Sequence, residues 1–501
     1  MTVAPRLVGT TINRAIAQPP QTLAPSTLVT QRATDAPAPG AVASWRVELS
    51  DNGTTFTPIT SDVLSVSITR GSSQTDGLYR RAETGTVSVE LLNNTAAYDP
   101  TANPLVRTGV TVKVYVSSGT DWVPRFTGRV TGIDVGYSEA GLFSTVTLSG
   151  VDAVASLAQR TLAEVSPAVG AGDTASARVD RLLNLGGIGP SRDIDEGGIT
   201  LAATTLGASV WDEIGVVVQA EIGDCWVTAD GMVAFRPFAA SLSGPVAATF
   251  SDTGAPGTLP MVSVGVVYDD QDLANGIIYS LPAGVVTEIY DDVSISKYSD
   301  GVPITLEVTN LPHSTQALAD DWATLTLRVL SVPEFRIEEL GVIPSADLSM
   351  ASTVLDLDIG DRVEVVFTPP GAVAPVTRSC WLRGVSETVT DGSTLWRVTY
   401  RLASAERFQF VTFDDPILGA LDTWILAPNA DASFTGGRYV AVAGDLVSSV
   451  ALNRLQDQMV QVFATLADAQ AAIPSPTTGM QVQLTSPFDR RYWNGSSWIR
   501  P

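Results

Sequence analysis

Val63-Leu64-Ser65-Val66-Ser67-Ile68-Thr69 and, after a turn-rich gap, Thr86-Val87-Ser88-Val89-Glu90-Leu91 are the stretches that decide the fold. Residues two apart in a strand share a face, whereas a helix repeats every 3.6 residues. Read with period two, the first stretch places Leu64, Val66 and Ile68 on one side, and the second places Val87, Val89 and Leu91 together. Val110, Val112, Val114 and Val116 repeat the pattern, and further strands are expected at Phe126–Val135 and Ser144–Val151. β-branched residues on half-buried faces, divided by Gly, Asn and Pro turns, predict a small antiparallel barrel or sandwich. A helical turn over Asp152–Gln159 is expected to close it.

On either side of this module, residues 45–160, the texture changes. Residues 1–44 are rich in Pro, Ala and Thr and end in ATDAPAPGAVAS. They read as an extended N-terminal arm that orders against a neighbouring subunit, or as a plain flexible terminus. Residues 161–240 predict an α+β insertion. Asp173 or Thr174 caps a helix through Ala175, Val179, Leu182 and Leu183 that stops at Gly186-Gly187, and a second helix follows Ser209. Cys225–Thr228 and Met232–Arg236 then form a hairpin about Asp230-Gly231. Residues 241–410 return to strands and include a second barrel, with one helix near Ser314–Leu330 and a strand entered from Leu357–Val365. Residues 411–465 form a connector. Leu452, Leu455, Met459 and Val462 fall at 3-4-3 spacing there and predict a short helix over 444–464, packed in the chain or serving as an oligomer seam. Residues 466–501 read as a β-rich mini-module.

Composition bounds the function. A chain of 501 residues exceeds one hydrophobic core, and at roughly 100–200 residues per domain it predicts about three to five modules. Only 30 Lys and Arg stand against 53 Asp and Glu, a formal charge of -23, whereas nucleic-acid binding needs clustered cations. Stable nucleic-acid binding is therefore not expected. Cys225 and Cys380 each precede a tryptophan and read as two buried thiols. No stretch approaches the roughly 20 apolar residues of a membrane span, and MTVAPRLVGTTINRAIAQPP lacks the apolar core of a signal peptide.

Three collinear segments carry a resemblance. The first runs from Arg70-Gly71 through Glu83-Thr84-Gly85-Thr86-Val87-Ser88-Val89-Glu90-Leu91-Leu92-Asn93-Asn94, Tyr98-Asp99-Pro100 and Asn103-Pro104-Leu105 to Phe126-Thr127-Gly128-Arg129-Val130. The second is the helix-helix-hairpin of Thr174–Arg236. The third is Ile473-Pro474, Gly479-Met480-Gln481-Val482 and Tyr492-Trp493-Asn494-Gly495-Ser496-Ser497-Trp498. Together they resemble the tail hub proteins of siphophages, often labelled minor tail proteins, over most of residues 46–410. The resemblance implies a mainly β, multi-domain fold with hub-type β-barrels and a smaller α+β insertion. It implies a homotrimeric baseplate hub that caps the tail tube at the virion's tail tip. Its partners would be the distal tail protein, the tape-measure protein, and tail fibres or receptor-binding proteins, with host attachment as the outcome. An anionic lumen, were the acidic residues to line it, would not hold passing DNA. The hexameric distal tail ring protein, which shares the barrel architecture, is the near alternative.

The chemical alternatives are weaker. A Ser-His-Asp site would have to use His313, the only histidine, and no GxSxG elbow accompanies it; a surface or helix-start histidine is expected. Ser294-Ile295-Ser296-Lys297 matches SxxK, but Val293 and Ile295 alternate as in a strand, which predicts Ser294 and Lys297 on opposite faces. Acidic runs at Asp193-Ile194-Asp195-Glu196, Asp269-Asp270-Gln271-Asp272, Asp291-Asp292 and Asp356–Asp361 read as solvated loops, with a hydrolase's paired carboxylates or a cation site as the competing readings. Tyr492, Trp493 and Trp498 are candidates for stacking on a sugar of the host surface, or the core of a small module. The sequence predicts no catalytic residue, no cofactor and no metal site.

Overall fold

The computed structural model describes residues 44–406 except 73–77, 79, 118–120, 138–142, 163–167, 188–191, 239, 241–243, 283, 347, 373 and 391–394. It also describes 461–463, 481–485, 488–493, 496 and 498–499. The first barrel comprises β1 (Ser44–Ser50), β2 (Thr57–Pro58), β3 (Val63–Gly71), β5 (Thr86–Leu92), β6 (Thr111–Ser117), β7 (Val123–Tyr137) and β8 (Ser144–Val151), with β4 (Arg80–Arg81) branching away. The antiparallel order is β2-β1-β6-β7-β8-β5-β3. Val112, Val114 and Val116 are buried, as are Val87, Val89 and Leu91, so the period-two reading holds. The sheet curls until β1 meets the approach to β3: Ile59 N–H donates to the Val47 carbonyl at 2.8 Å and Val47 N–H to Thr60 Oγ1 at 3.0 Å.

Leu64 departs from the expected face. The register slips between Val63 and Ser65, so Val63 pairs with Leu91 while the extra residue, Leu64, is 37% exposed. A bulge adds one residue to one strand and flips parity beyond it, which period counting cannot see.

The helix α1 (Ala153–Gln159) ends the first barrel, and its N-cap is Asp152. Its buried Val154 and Leu157 pack in the next core, with α2 (Ala175–Leu185), β9 (Arg192–Ile194), α3 (Val210–Glu221), β10 (Asp224–Val227) and β11 (Val233–Arg236). Thr174 and Ser209 cap α2 and α3 through their side chains, as the sequence indicated. The small sheet runs β4-β10-β11-β9, so a strand from the first barrel's own β3–β5 connection completes this lobe.

The second barrel uses β12 (Val246–Ser251), β13 (Leu259–Pro260) and β14 (Ser263–Asp269). A second lobe is inserted next: β15 (Gly276–Tyr279), β16 (Thr287–Tyr290), α4 (Asp292–Tyr298), β17 (Thr305–Val308) and α5 (Gln316–Leu330). The barrel resumes with β18 (Glu334–Val342), α6 (Leu348–Asp356), β19 (Arg362–Phe367), β20 (Val376–Thr390) and β21 (Leu395–Ser404). Its order is β12-β19-β20-β21-β18-β14, and β13, just before β14, pairs back onto β12. This closes the ring.

The two barrels are not separate. β3 pairs with β20 from Gly71 opposite Gly384 to Val66 opposite Val389, fusing both into one 14-stranded sheet over a shared apolar core. Gly71 sits at the crossing with φ +87°, and a Cβ there would lie 2.3 Å from the Arg383 carbonyl oxygen.

Two expectations fail here. Residues 292–298 form a helix, not a strand, because Asp291 accepts from Ser294 N–H and caps it. Gln461–Phe463 form strand β22, so Val462 does not extend a helical stripe, while Leu452, Leu455 and Met459 lie outside the described residues. β22 joins β23 (Gln481–Thr485), β24 (Phe488–Trp493) and β25 (Trp498–Ile499) in a four-stranded sheet. The arm at 1–43 and nearly all of the 411–465 connector also lie outside the described residues.

Candidate functional site: the inter-barrel lock and the lobe seam

Val385, Glu387 and Val389 share one face of β20, and all three are buried. A carboxylate on the core face of a strand must find a cation or pay several kcal/mol for desolvation. Glu387 finds Arg125 of β7: Arg125 Nε donates to it at 2.8 Å. Trp396 Nε1 of β21 donates to its other oxygen at 3.0 Å, and Arg125 Nη1 donates to the Leu355 carbonyl of α6 at 3.2 Å. Arg70 continues the core face of Val66 and Ile68 in the same way, and its Nη2 donates to Asp358 at 2.8 Å. Arg383 of β20 bonds Asp224 of β10, tying the second barrel to the first lobe. These pairs bind three parts of the chain into one body. The sequence reading passed over them, although Glu387 and Arg70 each stood at a core-parity position, which is the signal that finds them.

The two lobes are joined as well. Trp322 Nε1 of α5 donates to the Gln219 carbonyl at the end of α3 at 2.9 Å, and Ala202 N–H donates to the Pro312 carbonyl at 2.7 Å. His313 lies in this seam, 2% exposed, with Nε2 3.1 Å from the Ala220 carbonyl oxygen. It is therefore a buried residue two positions before the Thr315 cap of α5, and not a surface one. Burial pulls its pKa from 6.5 down to about 4. Glu221, the residue after Ala220, accepts from Gly198 and Ile199 N–H at 3.2 Å, and burial pushes its carboxyl up to about 7. Asp152, buried at the junction of β8 and α1, accepts from Gly85 and Val154 N–H and is likewise pushed up to about 7 by burial.

The SxxK pair falls one helical turn apart, contrary to the strand reading. Ser294 Oγ donates to the Ser331 carbonyl at 2.5 Å, and Lys297 lies over the Tyr298 ring. Members of each acidic run take structural roles: Asp193 and Asp195 on Arg236, Asp269 on Arg336, Asp291 at a helix cap, and Asp358 on Arg70. Among the described residues no three His, Cys, Asp or Glu side chains gather as metal ligands, and no helix is long and apolar enough to cross a membrane. Both cysteines are buried, Cys225 in the first lobe's core and Cys380 in the shared barrel core. Of the proposed stacking residues, Trp493 is the register partner of Trp498 and Tyr492 that of Ile499.

No protein-family model and no curated protein matches the sequence. Solved structures do. The tail protein from Neisseria meningitidis MC58 aligns at 13% identity and TM-score 0.50, covering 72% of this chain and 96% of that one. The 43 kDa tail protein of prophage MuSo2 from Shewanella oneidensis aligns at 13% identity and TM-score 0.48, covering 72% and 99%. Prophage tail protein gp18 from Listeria monocytogenes EGD-e aligns at 10% identity and TM-score 0.43, covering 71% and 94%. With nearly the whole of the Neisseria protein matched, this mainly β, multi-domain chain shares the fold of that tail protein over 72% of its length.

Proposed function

We propose that the chain is a structural protein of a phage virion, the hub at the tail tip that caps the tube and connects it to host-recognition proteins. The carrying observation is the β3–β20 ladder, which fuses two barrels into one sheet in a chain with a tail protein's fold. A connector must pass force without yielding between its parts, and a continuous hydrogen-bonded sheet locked by Arg125–Glu387 supplies that stiffness. The mechanism is shape and interface, with no covalent step. The assembly is a homotrimer, meeting the distal tail and tape-measure proteins on one side and fibres or receptor-binding proteins on the other. Its net charge of -23 keeps it from retaining nucleic acid.

Light scattering across a concentration series, with electron microscopy of the same samples, tests the reading. Trimers with a central opening support the hub. Hexamers transfer the chain to the neighbouring ring protein, and a strict monomer at every concentration overturns self-assembly as the basis of its role.

A further inference from the structure

The second lobe's three-stranded sheet has two outer strands, β16 and β17, and the run into β16 carries the more exposed apolar side chains. Its order is β16-β15-β17, and among the described strands β16 pairs with β15 alone. The run into and along that edge is Val285-Val286-Thr287-Glu288-Ile289-Tyr290, of which Val285 is 82%, Val286 55% and Tyr290 41% exposed. Val293, just beyond, is 77% exposed. Unpaired edges rich in β-branched and aromatic residues are templates for another strand, and native proteins normally blunt or cover them. Along this strand and the helix and strand that follow it, residues 288–307, the charged side chains are Glu288, Asp291, Asp292, Asp300 and Glu307 against Lys297 alone.

That rim selects the occupant. A second folded copy of a chain carrying -23 brings like charge to an acidic face. One segment of the chain has the opposite sign: residues 1–44 hold Arg6, Arg14 and Arg32 against Asp35 alone. Within it, Ser26-Thr27-Leu28-Val29-Thr30-Gln31-Arg32 is a proline-free, β-prone run that begins directly after Pro25 and ends in a cation. Extended chain between Arg32 and the start of β1 at Ser44 spans at most about 40 Å, so the arm reaches well beyond its own first strand.

We propose that residues 26–32 add as a strand to the open edge of β16, with Leu28 or Val29 against the exposed valines and Arg32 among the carboxylates of Glu288, Asp291 and Asp292. The arm thereby fastens this lobe to its own barrel or to that of a neighbouring copy.

The test places the photo-reactive residue p-benzoylphenylalanine at the exposed position Val286 in the full-length protein, then maps crosslinks by mass spectrometry. Crosslinks to residues 20–44 are expected, falling several-fold in the R6E/R14E/R32E variant and in high salt. Mixed heavy and light copies show whose arm is held, and either answer supports the docking. Amide exchange at residues 286–290 is expected to be slower in the full chain than in one lacking residues 2–43. Crosslinks elsewhere, no crosslinks, or equal exchange in the two chains overturn it.

Discussion

Arg125 and Glu387 stand 2.8 Å apart, one on a strand of each barrel. Both side chains are almost wholly excluded from water, at 2% and 0% exposure. Removing one partner strands the other as an uncompensated buried charge. Glu387→Gln should therefore destabilise the barrel pair by about 3–5 kcal/mol, read as a lowered denaturant midpoint. The double variant Arg125→Met/Glu387→Leu, which removes both charges, should recover much of that loss. A single variant as stable as the parent would mean that the pair bears no load.

Gly71→Ala should be costly for two separate reasons. A left-handed backbone costs a non-glycine residue about 1–2 kcal/mol, and here the added methyl also meets the Arg383 carbonyl oxygen at 2.3 Å. Gly254, with φ +65° and nothing within 4 Å of an added Cβ, isolates the first cost. Thermal melts should rank Gly71→Ala well below Gly254→Ala; equal melting points would show that the β3–β20 crossing relaxes freely.

Acid should weaken the lobe seam through His313. Unfolded, its imidazole takes a proton near 6.5; folded, burial holds that back to about 4. Its contribution is thus full above pH 6.5 and is lost as pH falls through that window, to a limit of about 3 kcal/mol. Glu221 runs the other way, since a carboxyl raised to about 7 costs stability as pH rises from its ordinary 4.5. The clean observable is the difference between wild type and His313→Gln, which should shrink by about 3 kcal/mol between pH 7 and pH 4 in denaturant titrations. A difference independent of pH would show that the ring is not held neutral.

The two thiols should report on separate cores. Burial, the larger effect, and the neighbouring Asp224 charge push the Cys225 thiol well above its ordinary range, and Cys380 is 1% exposed. Neither should react with a disulfide reagent in the native protein. In a denaturant series Cys225 should report the first lobe's opening and Cys380 that of the barrels. Rapid labelling of either in native buffer would contradict the packing described above.

Much of this architecture was legible from side-chain alternation and capping chemistry. Val112, Val114 and Val116 announced their strand, and Thr174 and Ser209 announced their helices. The failures have physical causes. Period counting turns Leu64 inward because a bulge leaves no mark on composition. Residues 292–298 alternate like a strand, yet the Asp291 cap tips so short a segment into a helix. The pairing of Val66 with Val389 is a long-range choice that no local window contains. The charges at Arg70 and Glu387 were visible but were not read as demands for buried partners.

The same ladder sets a timetable for biosynthesis. β3 emerges from the ribosome long before the strand that pairs with it. Between Val66 and Val389, at about 5–20 residues per second, its edge stays bare for roughly 15–65 s. During that interval the nascent first barrel presents an apolar, unpaired margin to every other chain nearby. Premature termination upstream of β20 should therefore yield insoluble fragments, even though every residue of the first barrel has already been made.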